Sequence, residues 1–116
     1  MMFLEWSKVK VFIKPGSTDM RKQINGLSII VQEEMRYNPL HGGVFVFCNK
    51  TRKRLKMLYW ERNGFCLWLK RLEKDKFPWP KDKEEAREIS YEELRMLLEG
   101  IDFFKAHKEL KYLSVY

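Results

Sequence analysis

The chain has 116 residues, 45% of them hydrophobic and 15% aromatic, with 23 Lys or Arg against 16 Asp or Glu for a net charge of +7. That length suits one domain, 1–116, with a modest core, and the apolar content excludes wholesale disorder. No apolar run approaches the ~20 residues that span a bilayer, and the charged start lacks an export segment, so a cytoplasmic protein without a membrane partner is expected.

Val9 to Ile13, VKVFI, is the first strand candidate, because its β-branched residues favour extended backbone; Pro15-Gly16 ends it. Ser17, Thr18 or Asp19 can cap a helix over 19–35, along which Met20, Ile24, Leu27, Val31 and Met35 draw an apolar stripe. Arg21 and Lys22 lie off that stripe near the helix start, where the dipole disfavours cations. Solvated surface charge is the plain reading of that pair, and an external anion the other.

Asn38-Pro39 and Gly42-Gly43 bracket a loop containing His41, and Val44 to Cys48, VFVFC, follows as an apolar strand. A basic turn, Asn49-Lys50-Thr51-Arg52, leads into a hairpin: LKMLYW, the turn residues ERNG, then FCLWLK. Asn63-Gly64 is positioned to supply the positive φ of a tight connection. Alternation places Leu55, Met57 and Tyr59 on one face of the first strand and Arg54, Lys56, Leu58 and Trp60 on the other. In the second strand Phe65, Leu67 and Leu69 oppose Cys66, Trp68 and Lys70. One hairpin face thus reads as core and the other as a mixture of basic groups with tryptophan.

Beyond Arg71, Phe77-Pro78-Trp79-Pro80 cannot be regular helix and is awkward for a central strand. Ser90 and Glu93 have capping-box spacing, and Leu94, Leu97 and Leu98 make a short helix stopped by Gly100. Gly100 should be left-handed and let Ile101 return to the core, while 105–116 is a further helix or a frayed end. The expected fold is α+β: an antiparallel three- or four-stranded sheet or meander, with the N-terminal strand at an edge. One main helix packs on it against the 45/47, 55/57/59 and 65/67/69 positions, with a short C-terminal helix and a core over about 9–104.

The charge is concentrated. Lys50 to Lys76 carries ten Lys or Arg against Glu61, Glu73 and Asp75, which is the whole excess of the chain. Lys50, Arg52, Lys53, Arg54 and Lys56 crowd cations that repel one another unless solvent or a polyanion screens them. They are the first candidates for nucleic-acid phosphate contact, with Arg62, Lys70 and Arg71 extending the surface. Trp60, Trp68 and Trp79 are candidates for base stacking or, on the plainer reading, for the core or a protein interface. Catalytic fingerprints are missing, so neither an enzyme nor a cofactor is expected. Cys48 and Cys66 read as reduced thiols, and with His41 they lack a fourth ligand for a metal.

The segments KPGSTDMRKQINGLSIIVQ, NPLHGGVFVFCNKTRKRLKMLYWERNGFCLWLKRLEKDKFPWP and ISYEELRMLLEGIDF resemble, in collinear order from about Val9 to Phe104, the small accessory protein of one class of bacterial insertion sequences. That class is IS66, in which the protein is encoded beside the transposase. The most specific blocks are Asp19-Met20-Arg21-Lys22, Gly43 to Phe47, Lys56 to Leu72 and Leu97 to Asp102. Gln23-Ile24 stands where a glycine–phenylalanine-like pair is familiar. The resemblance implies a non-catalytic part in transposition, with the element's DNA and its transposase as partners. It lends nothing from the RNA-guided nucleases that share a similar label. The alternative to direct DNA contact is a module that holds the transposase or self-associates as a homo-oligomer.

Overall fold

The computed structural model describes residues 5–81 and 86–104. Its strands are β1 (Lys10–Ile13), β2 (Gly43–Cys48), β3 (Arg54–Glu61), β4 (Gly64–Arg71) and β5 (Arg87–Ile89), in the sheet order β4-β3-β2-β1-β5. The helices are α1 (Ile24–Ile30), which runs on into a π-helical segment at Val31–Met35, and α2 (Tyr91–Leu98). The α+β expectation holds: a mixed, mostly antiparallel sheet carries one longer internal helix and a short C-terminal one.

Two features differ from the sequence expectation. β1 is not at an edge: it pairs in parallel with β2, Val11 opposite Val44, and antiparallel with β5, Val11 opposite Ile89. A parallel neighbour needs a crossover, and the 14–42 segment containing α1 supplies it. β5 itself carries only REI behind a charged run, too short for its pattern to announce a strand.

The second difference is parity. Glu61 pairs with Gly64 across the turn, so every odd residue of β3 faces an even residue of β4, as in Tyr59 opposite Cys66 and Met57 opposite Trp68. Leu55, Met57 and Tyr59 therefore lie with Cys66 and Trp68, away from α1. Both faces are core. Against α1 pack Phe12, Phe45, Phe47 and Leu58, with Leu27, Ile30, Val31 and Met35 from the helical stripe. On the other face Val11, Val46, Leu55 and Met57 are covered by Phe77, Trp79, Leu94, Leu97 and Phe103. The positive φ of the hairpin turn falls on Arg62 (φ 54), not on Asn63-Gly64. There the Asn63 N–H donates to the Glu61 carbonyl at 2.6 Å in a three-residue turn.

The helix starts five residues later than its stripe suggests. Asp19 folds the chain into a turn by accepting the backbone N–H of Arg21 at 2.9 Å and three bonds from its guanidinium. The Met20 and Lys22 carbonyls, which would serve the first helical turn, instead accept the Lys56 ammonium. Arg36, left-handed at φ 65, ends the helical run.

At α2 the capping box forms as read: Ser90 Oγ accepts from Glu93 N–H, and the Glu93 carboxylate accepts from Ser90 N–H. The C-terminus closes at Gly100 (φ 82), with Gly100 N–H donating to Leu97 and Ile101 N–H to Met96. Ile101 does not return to the core; it is 49% exposed, and Phe103 takes that place. Among the described residues no atom would obstruct a Cβ at Gly100, so Gly100→Ala should cost the backbone term, about 1 kcal/mol by urea denaturation. An unchanged midpoint would show that the left-handed turn contributes nothing. The 105–116 tail, including His107, lies outside the described residues.

Candidate nucleic-acid interface

At one end of the sheet β2 stops and β3 begins, and the 49–53 loop between them is built from its own polar groups. The Asn49 side-chain oxygen accepts the backbone N–H groups of Lys53 and Arg54, both at 3.0 Å, and its amide donates to Thr51 Oγ1 at 3.1 Å. Arg52 N–H donates to the Asn49 carbonyl and sits left-handed at φ 61, a conformation a non-glycine residue adopts only when its surroundings hold it. The strap after β4 supplies that hold: Leu72 N–H donates to Lys53 O and Phe77 N–H to Arg52 O, each at 2.7 Å. Next to this strap Trp79 Nε1–H donates to Gly16 O at 2.9 Å, and Gly16 N–H to Pro80 O. The backbone that carries the basic tip is thereby fixed on both sides.

Lys50 and Arg54 are exposed there, and Arg52 and Lys53 are half-buried. Arg71 joins them, because it is paired directly with Arg54 across the hairpin. Like charges opposed in this way repel. Glu73 offsets part of that repulsion through a 2.9 Å bond to Arg71 Nε.

The other sequence candidates are placed elsewhere. Arg62 lies at the hairpin tip, the far end of the eight-residue strands, on the order of 27 Å away at the usual rise per residue. Lys70 extends to the C-terminal carbonyls of α2, donating to Leu98 O at 2.9 Å, where the helix dipole favours a cation. Lys56 is 5% exposed, and its ammonium donates to Met20 O at 2.9 Å and Lys22 O at 2.8 Å. Burial, and after it the nearby Arg54, lowers its pKa, while Asp19 opposes the shift. The same contact brings the 19–22 turn, with exposed Arg21 and Lys22, beside the loop. Arg21 holds the Asp19 carboxyl down at about 2. The sequence pattern gave no sign of that approach, since it depends on a side chain thirty-odd residues downstream.

The tryptophans do not share a surface. Trp79 is buried beneath the strap, Trp60 stands edge-on to Phe65 on the α1 face with ring centroids 5.0 Å apart, and Trp68 packs on the opposite face. Parity separates the last two, so the single basic–aromatic face read from alternation is two half-faces.

Both cysteines are free. Burial pushes the Cys48 thiol up to about 12, against weaker pulls from the Asn49 backbone and Arg52. Cys66 is half-buried, with its sulfur 3.7 Å from a Glu61 carboxylate oxygen. Iodoacetamide at mildly alkaline pH should accordingly label Cys66 and spare Cys48 until the chain is unfolded; labelling at Cys48 in the native protein would contradict its burial. Among the described residues no group of three or more His, Cys, Asp or Glu could hold a metal ion, and no helix is long and apolar enough to cross a membrane.

A family model described as IS66 Orf2 like protein matches residues 9–108. Two similar chains come from Sinorhizobium fredii (strain NBRC 101917 / NGR234). Uncharacterized protein y4hO is 41% identical over 95 residues, 82% of this chain and 83% of its own. Uncharacterized protein y4jC is 32% identical over 101 residues, 87% of this chain and 86% of its own. No solved structure matches.

Proposed function

The chain belongs to the IS66 Orf2-like family, and from that premise we propose that it serves IS66-type transposition by holding DNA through the phosphate backbone at the 49–54 end of its sheet. Family membership supports the accessory role, with DNA and the transposase as its setting. The DNA contact rests on one observation: Lys50, Arg52, Lys53, Arg54 and Arg71 converge on a rigid loop end, where Arg54 and Arg71 face each other directly. A polyanion across that end relieves the repulsion, and its condensed counterions are released on binding. Phosphate contacts give position and affinity without reading bases, so the expected binding is indifferent to sequence. Lys56 supports this surface from beneath.

The test is a fluorescence-anisotropy titration of duplex DNA across a salt series. It compares the wild type with a variant carrying Lys50→Gln, Arg52→Asn, Lys53→Gln and Arg54→Gln; asparagine tolerates the left-handed position. Each lost phosphate contact should flatten the plot of log affinity against log salt by about 0.9. Affinity should fall alike for unrelated sequences, with an unchanged circular-dichroism spectrum. Superimposable titrations of the two proteins would remove the loop from the interface. Absence of DNA binding by either, with transposase still captured by both, would favour the protein-interaction role.

A further inference from the structure

The sheet has two edges of very different character. β5 is three residues long and includes Arg87 and Glu88, so its edge is short and charged. β4 is eight residues long, and among the described residues no strand pairs with its outer side. An uncovered strand of that length offers a row of unpaired backbone groups to another chain, which proteins ordinarily blunt with lysine, proline, a bulge or a covering element. The six residues Gly64 to Leu69, GFCLWL, carry no charge and no proline, in a chain of which 34% is charged. Lys70 is no guard either, because its ammonium is turned inward to Leu98 O. Phe65, Cys66, Leu67 and Trp68 are only half-buried, and Leu69 is 54% exposed on the α1 face.

We propose that β4 pairs antiparallel with β4 of a second copy, joining two sheets across a two-fold axis at Leu67. Such an axis runs normal to the sheet, so opposed residues must share a face and an odd residue must meet an odd one. Three central registers meet that condition. Centring on Cys66 leaves the exposed Leu69 opposite Asn63 in the turn, beyond the end of the strand, and centring on Trp68 sets Phe65 against Arg71. Centring on Leu67 opposes Phe65 to Leu69 of the second copy, Cys66 to Trp68, and Gly64 to Lys70. This register covers the exposed Leu69 with an aromatic ring and opposes no like charges within β4. A symmetric dimer uses the same patch on both copies, and β4 is self-complementary in that sense.

Sedimentation velocity over a concentration series tests this on the full chain. The wild type should be a dimer, and Leu69→Lys, which puts an ammonium on the uncovered edge, should weaken dimerisation at least about tenfold while keeping the wild-type circular-dichroism spectrum. A second variant does not depend on the folding of the first. In a Cys66→Ser background, with Cys48 buried, Leu67→Cys should give a disulfide-linked dimer on mild oxidation, because directly opposed Cβ atoms lie about 4.5–5.5 Å apart. Ile29→Cys, exposed on α1, should not cross-link. A monomeric wild type overturns the proposal, whether the edge then proves to be taken by residues 105–116 or by the transposase. So does a Leu69→Lys protein that remains fully dimeric, or cross-linking at Ile29→Cys without cross-linking at Leu67→Cys.

Discussion

Phe77→Ala should lose about 3–5 kcal/mol of folding stability, read as a lowered midpoint in urea. Phe77 is fully buried, and its ring belongs to the cluster that covers Leu55, Met57, Leu94 and Leu97 on the face away from α1. The loss combines transfer of the ring to water with the cavity it leaves, and neighbouring Pro78 and Pro80 restrict the backbone that would have to collapse into that space. Its N–H bond to the Arg52 carbonyl is a main-chain contact and survives the substitution in form. A loss no larger than that of an exposed-site substitution would show that the strap is not part of the core.

Lys56→Met should cost about 2 kcal/mol, a fall of roughly 8 °C in Tm for a domain of this size. Methionine fills the space but leaves the Met20 and Lys22 carbonyls without their donor, and charge-assisted bonds of this kind are worth more than neutral ones. Removing a buried ammonium also removes its desolvation cost, which sets the upper limit on the loss. The two effects separate with pH. Because the folded-state pKa of Lys56 is lowered from 10.5, the unfolded chain holds its proton more tightly. The cost of burying the ammonium is fully present below the folded value and is relieved as pH rises through it toward 10.5. The stability gap between wild type and Lys56→Met should therefore widen over that alkaline window. A gap that narrows there would mean that the charged form is the one the fold prefers.

Local chemistry was legible in the sequence where a residue acts on its near neighbours. The Ser90–Glu93 box, the left-handed Gly100 and the alternation within each hairpin strand needed nothing distant, and the structure has them. The α1 stripe was visible for the same reason. What escaped was set by partners far along the chain. Lys56 occupies the same kind of basic run as Arg52 and Lys53, yet its side chain alternates inward and meets the carbonyls of the 19–22 turn, so composition alone could not separate them. The turn at Asp19 postponed the helix because those carbonyls were already engaged. Ile101 and Phe103 compete for one docking position after Gly100, and the larger ring occupies it. The basic loop was readable as a charge cluster, but its rigidity comes from Leu72 and Phe77, which the sequence shows only as the end of a strand and the start of a proline-rich segment.

The inner position of β1 has a consequence for the order in which the chain can assemble. β2, β3 and β4 are joined by short turns and need only near neighbours, so this meander can form as soon as it is complete. β1 precedes it in the chain but has to wait: Val11 finds Val44 on one side and Ile89 on the other. Closing such wide loops costs little extra equilibrium stability, since the entropy grows only with the logarithm of length, but long-range pairings of this sort slow the search. During synthesis the first strand made would thus be the last to be enclosed. Until the REI segment emerges, β1 keeps an open edge of Val-Phe-Ile beside a finished hairpin, and the short charged strand that ends the sheet also ends that exposure.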